Sequence, residues 1–437
     1  MNWLEMFKAY IGKMESPDVF VEWVGVSIVA GVLGRKVWLP RGLDALLPGQ
    51  MMVVLVSGSG VCRKSSAINA GLSLLSLFRQ ELGEGAIGVN VMPNKMSSQS
   101  LLSNLRMVDA DGEQCNTGYI VATELTTLIS QESFTESLVD NIISLNDTVP
   151  LVDPADLDTL LPKEWRSSFK KDGPVVFINP CVGLLGATTP RMVHEGLPKQ
   201  VRDGGFFGRV LWVYAKDSKK PPNSMLLPSE TISEWRAPLV EGLVRMAQLE
   251  GHYRFSKQAY QWADDWYVNV HYPEVQERGE EDGLWESGFY HRRQDHLLRL
   301  AMILSAMETD DKLIRVQHLE HAWLMVQKMQ RGIHKLFEVH VESKSAGVMD
   351  AILKVFKKPK YQHMVTWADL CKVLWRAGSV AVLEDALRSL ELAGKVHVDR
   401  GKQKMGWKIR PAQEGILGAS EWDGEVPHHG SHLKLVQ

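Results

Sequence analysis

The stretch Met51–Ser76, MMVVLVSGSGVCRKSSAINAGLSLLS, constrains the fold more than any other part of the chain. An apolar, β-prone run ends in Gly-Ser-Gly, Lys64-Ser65-Ser66 follow, and a segment with helical apolar spacing comes next. Strand, glycine turn, Lys-Ser and helix, in that order, make the layout of a phosphate-binding loop. Gly58 and Gly60 open backbone dihedrals closed to other residues, so the chain can curl around an anion. The first N–H groups of the helix are free to donate to phosphate oxygens. Lys64 is placed to reach the terminal phosphates and the Ser65 hydroxyl to hold Mg²⁺. The expected cradle is therefore Gly58, Ser59, Gly60, Val61, Cys62, Arg63, Lys64, Ser65 and Ser66. One position departs from the pattern GxxxxGK[ST]: Arg63 stands where the last glycine belongs. Arg63 either adds charge to the phosphates or points outward, and an ordinary strand-turn-helix with an exposed lysine is the plain alternative.

At 437 residues the chain has room for two or three domains. A 45% hydrophobic content supports a sizeable core, and a formal net charge of -3 leaves no global basic field, so any nucleic-acid contact must be local. The cysteines Cys62, Cys115, Cys181 and Cys371 are widely spaced, which reads as reduced thiols of a cytosolic protein. No signal-peptide core is visible at the N-terminus, and the apolar run Val24–Leu33 is too short to span a bilayer, so no membrane role is expected. The histidines lack metal-ligand spacing, so zinc is not expected.

Apolar runs alternating with helical patterns predict an α/β fold, a P-loop NTPase core with a mostly parallel sheet covered on both faces. Five segments are expected: an N-terminal helical segment (1–48), the P-loop ATPase core (49–222), a helical domain (223–344), a winged helix (345–410) and a disordered tail (411–437). Within the core, strands are expected at 86–92, 118–123, 174–179, 181–188 and 208–215, with a long segment of no clear period at 146–173. Three helices followed by two short strands around Arg400-Gly401-Lys402 give the winged-helix outline.

Four places outside the loop carry candidate chemistry. Glu124 ends an apolar strand expected beside the P-loop strand, where a carboxylate orients the attacking water. Its neighbour Thr123 stands where an Asp commonly serves the Mg²⁺ shell; the alternative is that Thr123 caps the next helix and Glu124 favours its first turn. Thr188 and Thr189 close another strand, where a hydroxyl can sense the γ-phosphate or simply begin a turn. Arg209 follows Asp203-Gly204-Gly205-Phe206-Phe207-Gly208, a glycine-rich arm suited to an arginine finger acting on a neighbouring subunit, with Arg202 and Arg191 as substitutes. Arg292-Arg293 read as a helix start, either solvated or folded back onto the nucleotide.

For nucleic acid, two basic stretches stand out. In the first, Lys163, Arg166, Lys170 and Lys171 interleave with Trp165 and Phe169. The second is the wing, with Arg400 and Lys402 beside Lys404, supported by Lys357, Lys358 and Lys360. A solvated surface, or for the wing a protein contact, is the alternative for each.

Taken together, SPDVFVEWVGVSIVAGVLGRKVWL, the Arg-Lys-Ser loop, GYIVATELTTL, and GATTP followed by GGFFGRVLWVY resemble the RecA-type P-loop ATPases of phages and mobile elements. That family is often joined to primases and is similar to hexameric replicative helicases. The resemblance spans roughly residues 15 to 335 and lies in the order of four blocks rather than in any one. It implies an ATP- and Mg²⁺-dependent DNA motor, a ring-forming helicase working as a homo-oligomer, commonly a hexamer, on single- or double-stranded DNA. By that likeness Lys64 and Ser65 match the nucleotide and metal residues, Glu124 the catalytic acid and Arg209 the finger. No primase motif is visible, so a primase would come from another chain. Two other functions stay open: an ATP-regulated adaptor or loader with little hydrolysis, and a DNA-stimulated ATPase of a defence or transposition system.

Overall fold

The computed structural model describes residues 2–12, 14–41, 45–83, 89–106, 116–129, 134–146, 149–150, 164–169, 173–178, 180–198, 201, 205–220, 230–278, 285–375, 377–400 and 406–412. It divides into two units, Met1–Glu338 and Val339–Gln437.

The first unit opens with helices α1 (Trp3–Ile11) and α2 (Asp18–Leu33), then an antiparallel pair, β1 (Val37–Arg41) and β2 (Ala45–Pro48). The P-loop strand β3 (Met52–Val56) leads into α3 (Lys64–Leu82). Then come β4 (Val91–Met92), α4 (Ser98–Leu105), β5 (Thr117–Ala122) and α5 (Phe134–Leu145). A separate hairpin, β6 (Glu164–Phe169) with β7 (Gly173–Ile178), precedes β8 (Cys181–Thr188), the short helix α6 (Gly205–Arg209) and β9 (Val210–Tyr214). The helices α7 (Glu230–Ala247), α8 (Lys257–Trp266), α9 (Trp285–Glu308) and α10 (Val316–Phe356) follow.

Five strands form a parallel sheet in the order β9-β3-β8-β5-β4. Successive side chains point to opposite faces, and here both faces are covered. Val53, Leu55, Tyr119, Val121, Leu185, Ala187, Leu211 and Val213 join the core shared with α1, α2, α3, α7 and α9. Met52, Val54, Val56, Ile120, Ala122, Val182, Leu184, Val210 and Trp212 join the opposite core with α4 and α5. That double burial is why these strands read as unbroken apolar runs rather than alternating ones.

Helix α2 is the hub of the first core. Phe20, Val21, Trp23, Val24, Val26, Ile28 and Val29 are all buried, so the helix has no polar face. It packs against α1, α3, α7 and α9 as well as the sheet, so segments that the sequence separates at 48/49 and 222/223 share one core. Just before the boundary expected at 222/223, Lys220 is tied to Asp18 at 2.7 Å.

Two strand expectations change. Among the described residues, the run at 86–92 is a strand only over Val91–Met92. The run at 174–179 is not a sheet strand: as β7 it pairs antiparallel with β6, inside the segment expected to lack structure. Phe177 is fully buried while Val176 and Ile178 are exposed, the alternation of a strand covered on one side.

In the second unit, the end of α10 contributes Val348, Ile352 and Val355 to a core with Trp367, Leu370, Leu383, Leu387, Val396 and Ile409. Two further helices, Trp367–Val373 and Val380–Leu392, are capped by Thr366 and Ser379. A three-stranded antiparallel sheet runs Val365–Thr366, Lys408–Pro411, Val396–Asp399. The tail expected to be disordered from 411 lies, beyond residue 412, outside the described residues. Among the described residues, no helix is long and apolar enough to cross a membrane.

Candidate nucleotide site

The glycine loop lies at the carboxyl end of β3. Gly60 has φ 72° with nothing within 4 Å of the position a Cβ would take, so the bend is both glycine-requiring and open. Arg63 also has a left-handed backbone, φ 47° and ψ 40°. This is the physical reason a glycine usually fills the place, and an arginine there carries strain. The surroundings hold it. The Arg63 Nε donates to Glu15 at 2.9 Å, and the Ser16 Oγ donates to the Arg63 carbonyl at 3.1 Å. Of the two orientations left open for Arg63, the outward one is therefore observed.

Lys64 begins α3, which has no side-chain cap and no acidic residue in its first turn. The leading N–H groups of such a helix attract anions. The Lys64 ammonium is buried and folds back on its own loop. It donates to the Ser57 carbonyl at 2.9 Å, the Ser57 hydroxyl at 3.0 Å and the Gly58 carbonyl at 3.1 Å. It is thus not the exposed lysine of an ordinary strand-turn-helix. Burial draws its pKa below the ordinary lysine range, while the charge of Glu124 pulls it back up. Ser65 and Ser59 are exposed and Ser66 half-buried, whereas Cys62 is buried and burial raises its thiol pKa.

Register places the other candidates at the same end of the sheet. Val56 pairs with Thr188, and Ala122 with Gly186, which sets Glu124 level with Thr188. The strand carrying Glu124 is not beside β3, as the sequence suggested, because β8 lies between them. Two strand spacings put the backbones about 10 Å apart, room for a terminal phosphate and a water. Glu124 is exposed and is itself the N-cap of the turn Leu125–Thr127, without a capping side-chain bond, so Thr123 is not the cap. Thr188 is 1% exposed, and its hydroxyl is buried with no hydrogen-bond partner. An orphaned buried hydroxyl is costly unless a ligand satisfies it. The open glycine bend, the uncapped helix and this hydroxyl are what a triphosphate needs, so the residues fit ATP.

Arg209 is elsewhere. It precedes β9, whose first residue pairs with Met52 at the start of β3. It therefore sits at the amino end of the sheet, about 15 Å from its own chain's loop. The glycine-rich arm is not a loose one. Gly205–Arg209 is a helical turn in which Phe206, Phe207 and Gly208 are buried. The Gly208 carbonyl accepts from His296 Nε2 at 2.9 Å, and a Cβ on Gly208 would lie 2.4 Å from the Gly288 carbonyl oxygen. The Arg209 Nη1 donates to the Gly205 carbonyl at 3.0 Å. Arg191 pairs with Glu195 at 3.3 Å, and Arg202 lies outside the described residues.

Arg292 and Arg293 are not a helix start; they lie within α9. Arg293 is fully buried among Tyr290, Trp266 and Trp323, with ring distances of 5.0, 5.7 and 5.2 Å, and bonds Glu274. It is a structural cation. Sequence reasoning missed Glu15 and Ser16, which fasten the loop, and Arg41 and Arg299, which gather near Arg209. Only Arg299 carried a signal, seven residues after Arg292 and so on the same face of one helix.

For the nucleic-acid candidates, Arg166 is exposed on β6, while Lys163, Lys170, Lys171 and Lys402 lie outside the described residues. Trp165 does not offer a free stacking face: it packs on Phe177 at 5.9 Å and donates from Nε1 to the Ser144 hydroxyl at 3.0 Å. Nor is Arg400 an uncommitted wing cation. Both its Nη groups bond Glu391, and its guanidinium lies 5.3 Å from the Trp407 ring centroid. That pairing holds the Glu391 carboxyl below its ordinary range.

No protein-family model matches the chain, and neither does any curated protein. Among solved structures, a full-length MCM homologue from Methanopyrus kandleri is similar at 12% identity, with a TM-score of 0.35. The match covers 74% of this chain and 58% of that one, a likeness too distant to bear on function.

Proposed function

We propose that the chain is an ATP-dependent DNA motor, a helicase or translocase that works as a homo-oligomeric ring, commonly a hexamer, with nucleotide at subunit interfaces. The observation that carries this reading is the gathering of Lys64, the orphaned Thr188 hydroxyl and Glu124 at one end of a parallel sheet. ATP with Mg²⁺ supplies the phosphoanhydride to be cleaved. The loop N–H groups and Lys64 hold the phosphates, and Ser65 and Thr123 hold the metal directly or through water. Glu124 takes a proton from the attacking water, and Thr188 donates to a terminal phosphate oxygen. Arg209, at the far end of its own sheet, serves only a neighbour's nucleotide. The hairpin β6–β7, with Lys163 before it, Arg166 on it and Lys170 and Lys171 in its connection, is the DNA contact we favour. On this reading the second unit serves as a winged helix, and its wing is the weaker DNA candidate because Arg400 is paired with Glu391.

Thr123 favours a second reading, since a hydroxyl holds a metal-bound water less firmly than a carboxylate. On that reading the chain is an ATP-regulated adaptor or loader that barely hydrolyses. DNA-stimulated ATP turnover with strand separation supports the motor; ATP-dependent DNA binding with negligible turnover supports the adaptor. Mixing Lys64→Ala with Arg209→Ala subunits restores part of the turnover if the arginine acts across an interface. The site assignment is wrong if both single variants keep full ATPase activity.

A further inference from the structure

The amino end of the sheet holds a second gathering of cations. A cavity of about 390 Å³ beneath Met52 is lined by Arg41 at the end of β1, Arg209 on α6, and Arg292 and Arg299 on α9. Asp295 is the one carboxylate among the described residues that line it, and it is paired with Arg41 at 2.9 Å. His296, also lining it, adds no charge at neutral pH. Burial pulls its pKa down to about 4, and its Nε2 is given to the Gly208 carbonyl. Among the described lining residues, four guanidiniums thus share one carboxylate.

Arginines do not escape such crowding by losing a proton. Arg299 shows the cost. Burial is the main force against its charge, Asp295 supports that charge, Arg35 and Arg41 add smaller repulsions, and its Nε is buried with no hydrogen-bond partner. A buried donor left unmade is expensive. The walls are also firmly placed: α6 is pinned through Gly208 to His296 and to the Gly288 backbone. Guanidinium forks match phosphate oxygens two at a time. The volume lies in the range of small-ligand sites and is far too small for a nucleic-acid duplex. The arginines line a hollow rather than project from the surface, which suits a ligand that enters.

We propose that this cavity is a second anion site, independent of the glycine loop, that takes a compact oligophosphate, either inorganic or the phosphate chain of a nucleotide. The inference does not rest on the nucleotide reading of Lys64, and the test keeps the two apart. Sodium tripolyphosphate is titrated calorimetrically into full-length Lys64→Ala protein, at a concentration where sedimentation shows single chains. The expected result is one saturable, salt-sensitive site per chain. In that background Arg299→Gln and, separately, Arg292→Gln weaken it at least tenfold, while each variant melts within a few degrees of its parent. Arg292 is half-buried, so its variant keeps the test alive if Arg299→Gln misfolds. A parallel titration with ATP separates the sources: equal affinity means that phosphates alone are read, and tighter ATP binding means a nucleotide ligand. The proposal is overturned if Lys64→Ala removes the tripolyphosphate site, if binding appears only on self-association, or if the folded arginine variants bind as the parent does.

Discussion

At the carboxyl end of the sheet, Lys64 donates to three oxygens of its own loop; at the amino end, Arg299 keeps a buried Nε with no partner. Both are cations at the ends of the same strands, yet they wait differently. The lysine is compensated, so an arriving phosphate must replace neutral acceptors with charged ones, and the loop can close or reopen as that exchange proceeds. The Arg299 Nε has nothing comparable to exchange, and an anion there relieves a standing cost. The difference teaches that a charge concentration alone does not identify a catalytic centre. What marks the loop is an exchangeable lysine beside Glu124 and Thr188, and the arginine cavity has no such neighbours among its lining residues.

The largest expected effect breaks the comparison at its reactive end. Lys64→Ala should lower ATP turnover about 10²–10³-fold, the scale for losing one fixed donor to a developing charge. Arg299→Gln, remote from its own chain's loop, should lower the same turnover much less than Lys64→Ala does. Steady-state phosphate release measures both. If the arginine change is the more damaging, the assignment of the two ends is reversed.

The next effect is one of pH and belongs to the amino end. His296 titrates at about 4 in the folded chain against the ordinary histidine value of 6.5, chiefly because burial disfavours the imidazolium. The unfolded chain therefore binds the proton first as pH falls. Stability is complete above about pH 6.5 and is lost progressively toward pH 4, by on the order of 3 kcal/mol from this residue. His271 is depressed to about 4 in the same direction, with burial the first cause and the nearby Arg293 charge the second. Denaturant melts from pH 7 to 4 should show the loss, and His296→Gln, which keeps a donor for Gly208, should flatten it.

How far each end was legible in the sequence follows from how each is built. The loop is contiguous, so strand, glycine turn, Lys64 and helix stood in order, and the helix runs from Lys64 to Leu82. Arg63 was visible as a departure, but its partner Glu15 lies 48 residues away, and no local pattern announces that pairing. The strand order was not legible: β8 slips between β3 and β5 although it follows both in the chain. Hairpin β6–β7 was missed because 146–173 shows no period and β7 by itself resembles a core strand. The arginine cavity draws on residues 41, 209, 292 and 299, which only the fold assembles.

A third test sharpens the carboxyl end by separating fold from function. Thr188→Val keeps the shape and removes the buried, unpartnered hydroxyl. The nucleotide-free protein should gain about 1–2 kcal/mol in denaturant melts, since an unmet desolvation cost disappears. ATP turnover should fall by about tenfold or more if the hydroxyl donates to phosphate in the transition state. Lower stability without nucleotide would mean that Thr188 is satisfied in the resting fold, and its place in the site would lose its physical basis.

The smallest effect concerns Arg63, where strain and charge pull apart. A non-glycine residue at φ 47° carries a cost of about 1 kcal/mol, and glycine there carries none. The ion pair lost with the side chain is largely exposed, 58% at Arg63 and 30% at Glu15, and such pairs contribute under about 1 kcal/mol. Glycine also adds freedom to the unfolded chain, which offsets part of the gain. Arg63→Gly should therefore alter stability by less than about 1 kcal/mol. Nucleotide affinity should stay as it was, because the guanidinium points to Glu15 rather than into the loop. Arg63→Val, with a β-branched side chain in the same conformation, should destabilise more. Equilibrium binding of a fluorescent ATP analogue decides the matter: a tenfold loss in Arg63→Gly would place that guanidinium on the phosphates and make the carboxyl end, too, an arginine site.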